Sequence, residues 1–328
     1  MKIKSLVLTI SSVLCTTLVW ADNTVTTNTA GNYNTLTASQ QGGDGNAISI
    51  TQSTDNNQSS ASQNGSGNSA SVSQYVDNFF TYWSYYNNGQ GVANISQTGS
   101  SNTADISQDS SAWYNGSYSN AAITQQGSNN SASINQYYQI QSNSATIDQT
   151  GYSNTASVIQ NFGWGDSAGL SQSGSANNAS INQTSWYSGN SANISQISDS
   201  SNANITQDGG WNSTASISQT NSNNQANITQ EAPNSSATII QTGIYDKATI
   251  SQPVGDYSST SITQNGNYDT TRIVQGGGVN EYDNITVIQS GDSNSATINQ
   301  NSFGGNGYHD AANVTQSGYG NTATITQQ

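Results

Sequence analysis

The 328-residue chain is strongly acidic yet carries few charges: its formal net charge is −14, 7% of its residues are charged and 31% are hydrophobic. Such a chain has no electrostatic basis for binding phosphate backbones, which argues against nucleic acid as a partner. It also lacks the apolar residues for the large core of an ordinary enzyme of this length. Composition leaves two classes, a disordered polar chain and a repetitive β-architecture.

Residues 1–21 are organised like a secretory signal peptide. Lys2 and Lys4 precede an apolar run that ends in small residues at the expected cleavage site. The run is too short for a comfortable membrane span, so we predict export without membrane insertion. Cleavage removes Cys15, the only cysteine, and leaves a net charge of about −16. Disulfides therefore cannot stabilise the exported chain.

Residues 22–33 form a short polar segment ahead of the first repeat, too short and polar for a convincing lid. From residue 34 to 328 the chain repeats a seven-residue template, N/S/D-x-A-x-I/V-x-Q, in 24 copies. The position two before the glutamine is Ile, Val or Leu in 22 copies, and the position four before is Ala in 18. This alternation predicts 24 β-strands with Asn, Ala, Ile and Gln on one face.

The strands come in twelve units of strand, fixed turn, strand and variable turn. Units with identical faces predict a β-solenoid of two parallel sheets, a cross-β arrangement in which each amide lies over the same amide of the next rung. The predicted amide-ladder residues are Gln97, Asn102, Gln108, Gln125, Asn130, Gln136, Gln149, Asn154, Gln160, Gln172, Asn177, Gln183, Gln289, Asn294, Gln300, Gln316, Asn321 and Gln327. The predicted core aliphatics are Ile95, Ile106, Ile123, Ile134, Ile147, Ile181, Ile298 and Ile325.

Glycine stands two residues after the glutamine in ten of the twelve fixed turns. We predict that it provides a positive φ there without steric cost. The predicted turn glycines are Gly99, Gly127, Gly151, Gly174, Gly243, Gly266, Gly291 and Gly318. The last copy of the template reaches Gln327, which predicts an uncapped end that adds a second molecule head to tail.

Most aromatic residues lie in the variable turns, which a solenoid places along one edge. Two interpretations stay open: an adhesive stripe for polysaccharide, surfaces or other fibrils, and packing of the turns on one another. The candidate adhesive residues are Tyr82, Trp83, Tyr85, Tyr86, Trp113, Trp164, Trp186 and Trp211.

The sequence offers no catalytic or metal-binding constellation. His309 is the only histidine and falls in a turn, and no nucleophile and base pair or repeated ligand motif accompanies it. We therefore predict a chain that is not an enzyme and takes no cofactor or metal. Asp105 and Asp148 lie on the predicted solvent face, where they serve solubility or slow premature assembly.

The spacing Q-x-G-x-x-N-x-A-x-x-x-Q resembles the curlin repeat of bacterial curli fibres. It occurs as QTGSSNTADISQ at 97–108, QQGSNNSASINQ at 125–136 and QSGDSNSATINQ at 289–300, and related strings cover almost all of the chain after the signal peptide. The resemblance implies a left-handed solenoid that is exported by a Gram-negative bacterium, kept unfolded by periplasmic chaperones and passed through an outer-membrane pore. It also implies that residues 22–33 target this pore and that a minor subunit nucleates the fibre.

We therefore predict a secreted structural protein that forms extracellular amyloid fibres for biofilm matrix, adhesion and surface colonisation. The scarcity of Lys and Arg fits the major subunit of such fibres better than the nucleator. Two alternatives remain: an ice-binding solenoid, suggested by outward Thr rows such as Thr322, Thr324 and Thr326, and a glycan-binding adhesin.

Overall fold

The structure, a computed structural model, describes residues 22–31, 33–53, 55–75, 91–109, 118–137, 142–184, 189–276, 282–301 and 310–327. These residues form 25 β-strands and no helix. Odd-numbered strands form one sheet, called here the odd sheet, and even-numbered strands form the even sheet. The all-β solenoid of two parallel sheets that the repeat predicts is confirmed.

Each repeat of the template becomes one strand, because its period of two places the apolar and amide side chains on a single face. The odd sheet contains β1 (Thr24–Thr29), β3 (Ala47–Gln52), β5 (Ser69–Tyr75), β7 (Thr103–Asp109), β9 (Ser131–Tyr137), β11 (Thr155–Asn161), β13 (Asn178–Thr184), β15 (Asn202–Asp208), β17 (Gln225–Gln230), β19 (Lys247–Gln252), β21 (Thr270–Gly276), β23 (Ser295–Asn301) and β25 (Thr322–Gln327). The even sheet contains β2 (Thr35–Gln41), β4 (Gln58–Ser66), β6 (Val92–Ser100), β8 (Asn120–Ser128), β10 (Ser144–Tyr152), β12 (Ser167–Ser175), β14 (Ser191–Ile197), β16 (Thr214–Thr220), β18 (Ser236–Gln241), β20 (Ser259–Gln264), β22 (Asn284–Ser290) and β24 (Ala311–Ser317).

Every strand pairs in parallel with the strand two places along the chain, so each sheet grows by one strand per rung. The register keeps equivalent template positions together. In β6 and β8, for example, Ala93 pairs with Ala121, Ile95 with Ile123, and Gln97 with Gln125. Equal lengths of template and fixed turn thus hold the two sheets in phase along the stack.

The sequence predicted 24 strands starting after residue 33, and the structure has one more. β1 lies within residues 22–33, the segment expected to precede the solenoid, and pairs with β3 from Thr24 opposite Ala47 to Thr29 opposite Gln52. It has no glutamine, which is why the template did not reveal it. The hand of the winding stays a prediction.

The core lies between the two sheets and consists of the inward Ala and aliphatic rows. Of the predicted core aliphatics, Ile95, Ile106, Ile123, Ile134, Ile147, Ile181 and Ile298 are at most 2% exposed. Ile325 is half-buried, because its strand β25 has no described strand beyond it.

Candidate functional site: amide ladders and open edges

Two uninterrupted glutamine ladders run along the solenoid. In each, the side-chain Nε2–H of one glutamine donates to Oε1 of the glutamine on the next rung, over 2.8 to 3.2 Å. The even ladder runs from Gln40 to Gln316. The odd ladder runs from Gln52 to Gln327. All bonds have the same direction, so each ladder has a donor end and an acceptor end.

The second N–H of the glutamine amide joins the two sheets. Gln125 on the even sheet donates to the backbone carbonyl of Thr103 on the odd sheet over 2.9 Å. Gln136 on the odd sheet donates in return to the carbonyl of Asn120 over 3.2 Å. Because both amide protons and the carbonyl oxygen are used, a buried glutamine is fully satisfied only inside a stack.

Asparagines line the inner side of the fixed turns and connect them in the same way. The backbone N–H of Asn102 donates to Oδ1 of Asn68 over 3.1 Å. Its Nδ2–H donates to the carbonyl of Gly127 on the next rung over 2.9 Å. The other predicted ladder asparagines also bond to neighbouring rungs; they are Asn130, Asn154, Asn177, Asn294 and Asn321.

Aspartate replaces asparagine at five described ladder positions, and the pKa is raised at three of them. In the odd sheet, Oδ1 of Asp246 accepts from the backbone N–H of Asp269, and Oδ1 of Asp269 accepts from that of Asn294. Burial raises the pKa of Asp246 to about 7 and also raises the pKa of Asp269, and Asp292 nearby adds to both shifts. In the even sheet, burial raises the pKa of Asp166 to about 6. Sequence analysis missed these acids as titrating groups because the template treats Asn, Ser and Asp alike.

Six of the eight predicted turn glycines have a positive φ, and the other two do not. Gly99, Gly127, Gly151, Gly174, Gly291 and Gly318 have φ between 99° and 124°. Gly243 and Gly266 do not have a positive φ of this kind. Glycine is required at these two positions because a side chain would clash with the next rung. A Cβ on Gly243 would lie 1.3 Å from the carbonyl oxygen of Gly266, and a Cβ on Gly266 would lie 1.5 Å from the carbonyl oxygen of Gly291.

The same close approach occurs where φ is positive, since a Cβ on Gly127 would lie 2.0 Å from the carbonyl oxygen of Gly151. The position that most regularly adopts the left-handed conformation lies two residues after the turn glycine, four after the glutamine. It has φ between 56° and 70° at 11 fixed turns. These residues are Gly67, Ser101, Asn129, Ser153, Ala176, Ser200, Asn223, Tyr245, Tyr268, Ser293 and Gly320. Their mixed identities hid the position from the sequence.

The edges of the solenoid expose the inner rows. At the C-terminal edge, Ala323, Ile325 and Gln327 of β25 are half-buried, although their equivalents inside the stack are buried. A shallow depression between β24 and β25 is lined by Val314 and Gln316 among others. No described strand pairs with the outer edges of β24 and β25 or, at the other end, of β1 and β2.

Only two of the candidate adhesive aromatics fall in the described part of the chain. Trp164 is 40% exposed and Trp211 is 43% exposed. Tyr82, Trp83, Tyr85, Tyr86, Trp113 and Trp186 lie outside the described residues, as does His309. Among described tyrosines, rings stack between rungs: Tyr245 on Tyr268 with centroids 5.1 Å apart, and Tyr257 on Tyr282 with centroids 4.9 Å apart.

Within the described ranges, no group of three or more His, Cys, Asp or Glu side chains is arranged to hold a metal ion. The same residues include no helix long and apolar enough to cross a membrane.

Comparison with known protein families matches two stretches of the chain to the Curlin associated repeat, at residues 43–75 and 232–266. The first stretch includes β3 to β5 and the second includes β18 to β20. No curated protein matches the chain. Both matches contain the glutamine spacing that generates the ladders, and that spacing continues through all the strands from β2 to β25. The two matched stretches are curlin-associated repeats, and they support an assignment of the chain to the curlin-repeat family.

Proposed function

We propose that the chain is the repeating subunit of an extracellular amyloid fibre of the curli type, and that it assembles head to tail. One observation carries the proposal: the glutamine ladders have complementary ends. Gln316 and Gln327 end their ladders with an Nε2 donor that has no next glutamine among the described residues, and Gln40 and Gln52 begin theirs with an Oε1 acceptor. A second copy stacked in register lets both ladders continue.

The geometry of the edge strands supports the same conclusion. β25 presents Ala323, Ile325 and Gln327 in the spacing of every inner strand, and these side chains are only half-buried. Pairing with another copy would bury them and satisfy the backbone groups of the edge. The mixed outward rows, with Asn299 and Arg272 among the Thr and Ser residues, are less uniform than an ice-binding face requires.

The proposal includes export. Residues 1–21 would direct secretion, residues 22–33 would target an outer-membrane pore, and periplasmic chaperones would keep the chain unfolded in transit. A minor subunit would nucleate the fibre on the surface of a Gram-negative cell, where it would contribute to biofilm matrix. The family match and the acidic, cysteine-free composition after residue 21 support this assignment.

The direct test is assembly of the purified chain without residues 1–21 at neutral pH. We expect thioflavin-positive fibres and a meridional reflection near ~4.7 Å. Ile325→Lys places a charge on the exposed inner row of β25 and should stop growth, whereas Thr324→Lys places it on the solvent face and should not. A chain that stays monomeric and gives no such reflection would refute the proposal.

Adhesion is the second part of the proposed role, supported by the exposure of Trp164 and Trp211. Large exposed aromatic rings stack on sugars and on apolar surfaces. Trp164→Ser with Trp211→Ser should weaken attachment of fibres to polysaccharide-coated surfaces while assembly is unchanged. Tyr152→Ser, at an exposed tyrosine of a fixed turn, is the matched control. Equal attachment by all three fibres would assign these tryptophans to turn packing instead.

A further inference from the structure

Strand β1 occupies a position that another strand of the repeat type fits better. Its side chains Val25, Thr27 and Thr29 lie opposite Ile48, Ile50 and Gln52 of β3. Regular strands place Ala, Ile and Gln in these three rows, so β1 has threonine where the stack otherwise has isoleucine and glutamine. Five of its six residues are exposed and the sixth is only half-buried.

One mismatch is visible in the hydrogen bonds. Oε1 of Gln52 is buried and accepts no hydrogen bond from any described residue. On the inner rungs of the same sheet this atom accepts from the glutamine of the preceding rung, as Gln74 does from Gln52 over 3.0 Å. Thr29 occupies the equivalent position on β1, and its side chain is too short to reach Oε1 of Gln52 as a glutamine amide would. A buried acceptor without a donor destabilises this position of the stack.

At its N-terminal end, however, β1 is held against the stack by specific hydrogen bonds. Asn23, just before β1, accepts the backbone N–H of Asn46 over 2.9 Å and donates to the carbonyl of Gly43 over 3.2 Å. Gln40 donates to the carbonyl of Thr24 over 3.1 Å. β1 thus keeps the asparagine contacts of the repeat and lacks its isoleucine and glutamine.

The topology makes β1 compete with a second copy. Consecutive strands alternate between the two sheets, and neighbouring strands of one sheet are one rung apart. If β2 of a second copy continues the even sheet after β24, then β3 of that copy follows β25 in the odd sheet. The β1 of that copy would then lie at the level that β25 already occupies. If β1 of the second copy instead stays on β3 and pairs with β25 of the first copy, the even sheet lacks one strand at the junction.

We propose that β1 is a displaceable guard strand that covers the β3 edge, and that β25 of a second copy replaces it when the fibre grows. In register, β25 places Asn321, Ala323, Ile325 and Gln327 opposite Asn46, Ile48, Ile50 and Gln52. Gln327 then donates to the vacant Oε1 of Gln52, and Gln316 donates to Gln40 in the other sheet. This inference rests on the proposed function, because it describes how two copies of the chain join.

A reversible lock tests the proposal. Thr26 and Ser49 are directly paired, outward-facing residues of neighbouring parallel strands, which lie about 4.8 Å apart, within reach of a disulfide. The chain lacking residues 1–21 has no other cysteine. With Thr26→Cys and Ser49→Cys, we expect seeded growth to be at least ~10-fold slower when oxidised and to recover fully on reduction. Oxidised and reduced chains that grow at one rate would overturn the proposal.

Two further variants change the strength of the pairing between β1 and β3 without a cross-link. Thr26→Pro removes a ladder N–H of β1 and should shorten the lag before fibre formation several-fold, with Thr26→Ala as the control that keeps this N–H. Thr27→Ile with Thr29→Gln completes the template on β1 and should lengthen the lag. Fibres that form equally fast from all these variants would overturn the guard strand alone. Failure of every chain, the unmodified one included, to form fibres would overturn the proposed function as well.

Discussion

Gln97 donates its side-chain amide to Oε1 of Gln125 over 2.8 Å, although 28 residues separate them in the chain. The bond depends on parallel pairing of β6 and β8 in a register that repeats along each sheet. Each amide in the ladder is a donor to one rung and an acceptor from another, so removal of one glutamine affects three rungs.

Gln149→Leu should therefore destabilise the chain by at least ~2 kcal/mol, because it leaves buried groups on both neighbours unsatisfied. Gln125 loses its acceptor, Gln172 loses its donor, and the carbonyl of Ser131 loses a bond of 3.0 Å. The urea midpoint of the folded chain measures the effect. Gln126→Leu, at an exposed residue of β8, is the matched control and should change stability by less than ~0.5 kcal/mol. Equal losses in both variants would contradict a role for the ladder.

The turn glycines allow steric contact to be separated from backbone conformation. Gly243→Ala places a Cβ 1.3 Å from the carbonyl oxygen of Gly266, where φ imposes no strain. Gly209→Ala meets no atom within 4 Å but has φ of 78°. We expect the first variant to lose stacking of the turns and fail to fold cooperatively, and the second to lose about 1 kcal/mol. Circular dichroism during urea titration compares them, and a larger loss at Gly209 would refute the contact explanation.

The left-handed position four residues after the glutamine predicts a stabilising substitution. Ala176 has φ of 56°, which costs a residue with Cβ about 1–2 kcal/mol. Ala176→Gly removes this cost and adds about 0.5–1 kcal/mol of unfolded-state entropy, so we expect a net gain of up to ~1 kcal/mol. Ser173→Gly, on the extended strand β12 of the same unit, should instead destabilise. If both variants lose stability, the turn conformation at Ala176 is not strained.

The sequence predicted the repeating part of this fold because its period is visible in single residues. Alanine and isoleucine at alternating places, with glutamine at fixed spacing, suffice for strands, facing rows and in-register ladders. The family signal is equally local, since the spacing within QTGSSNTADISQ is the repeat itself. These features are set by alternation and by the need to satisfy buried amides, which apply equally on every rung.

What the sequence did not predict depends on relations between rungs. The reason for Gly243 is the carbonyl of Gly266, 23 residues later, and one strand read alone cannot reveal it. β1 has no glutamine and is held by Asn23 and backbone pairing with β3, so the template passes over it. Asp246 and Asp269 become unusual only because the stack buries them on adjacent rungs.

This aspartate pair makes stability depend on pH. Burial raises the pKa of Asp246 from its ordinary 3.8 to about 7 and raises that of Asp269 in the same direction. The nearby ionisable groups are Asp292, which adds to both shifts, and Lys247 and Arg272, which lie exposed on the opposite face of the same sheet. The folded chain holds these protons more tightly than the unfolded chain. The contribution of the pair is therefore complete below about pH 3.8, falls as pH rises, and is lost above about pH 7.

Asp246→Asn with Asp269→Asn should remove this dependence, because asparagine is the residue that other rungs use at the same position and it does not ionise. We expect the variant to match the unmodified chain at pH 3.5 and to have a clearly higher urea midpoint at pH 8. Asp148→Asn, at an exposed position on β10, should leave the difference between the two pH values unchanged. If the double variant is no more stable at pH 8 than the unmodified chain, the buried pair is tolerated in its charged form, and another group supplies the compensating hydrogen bonds.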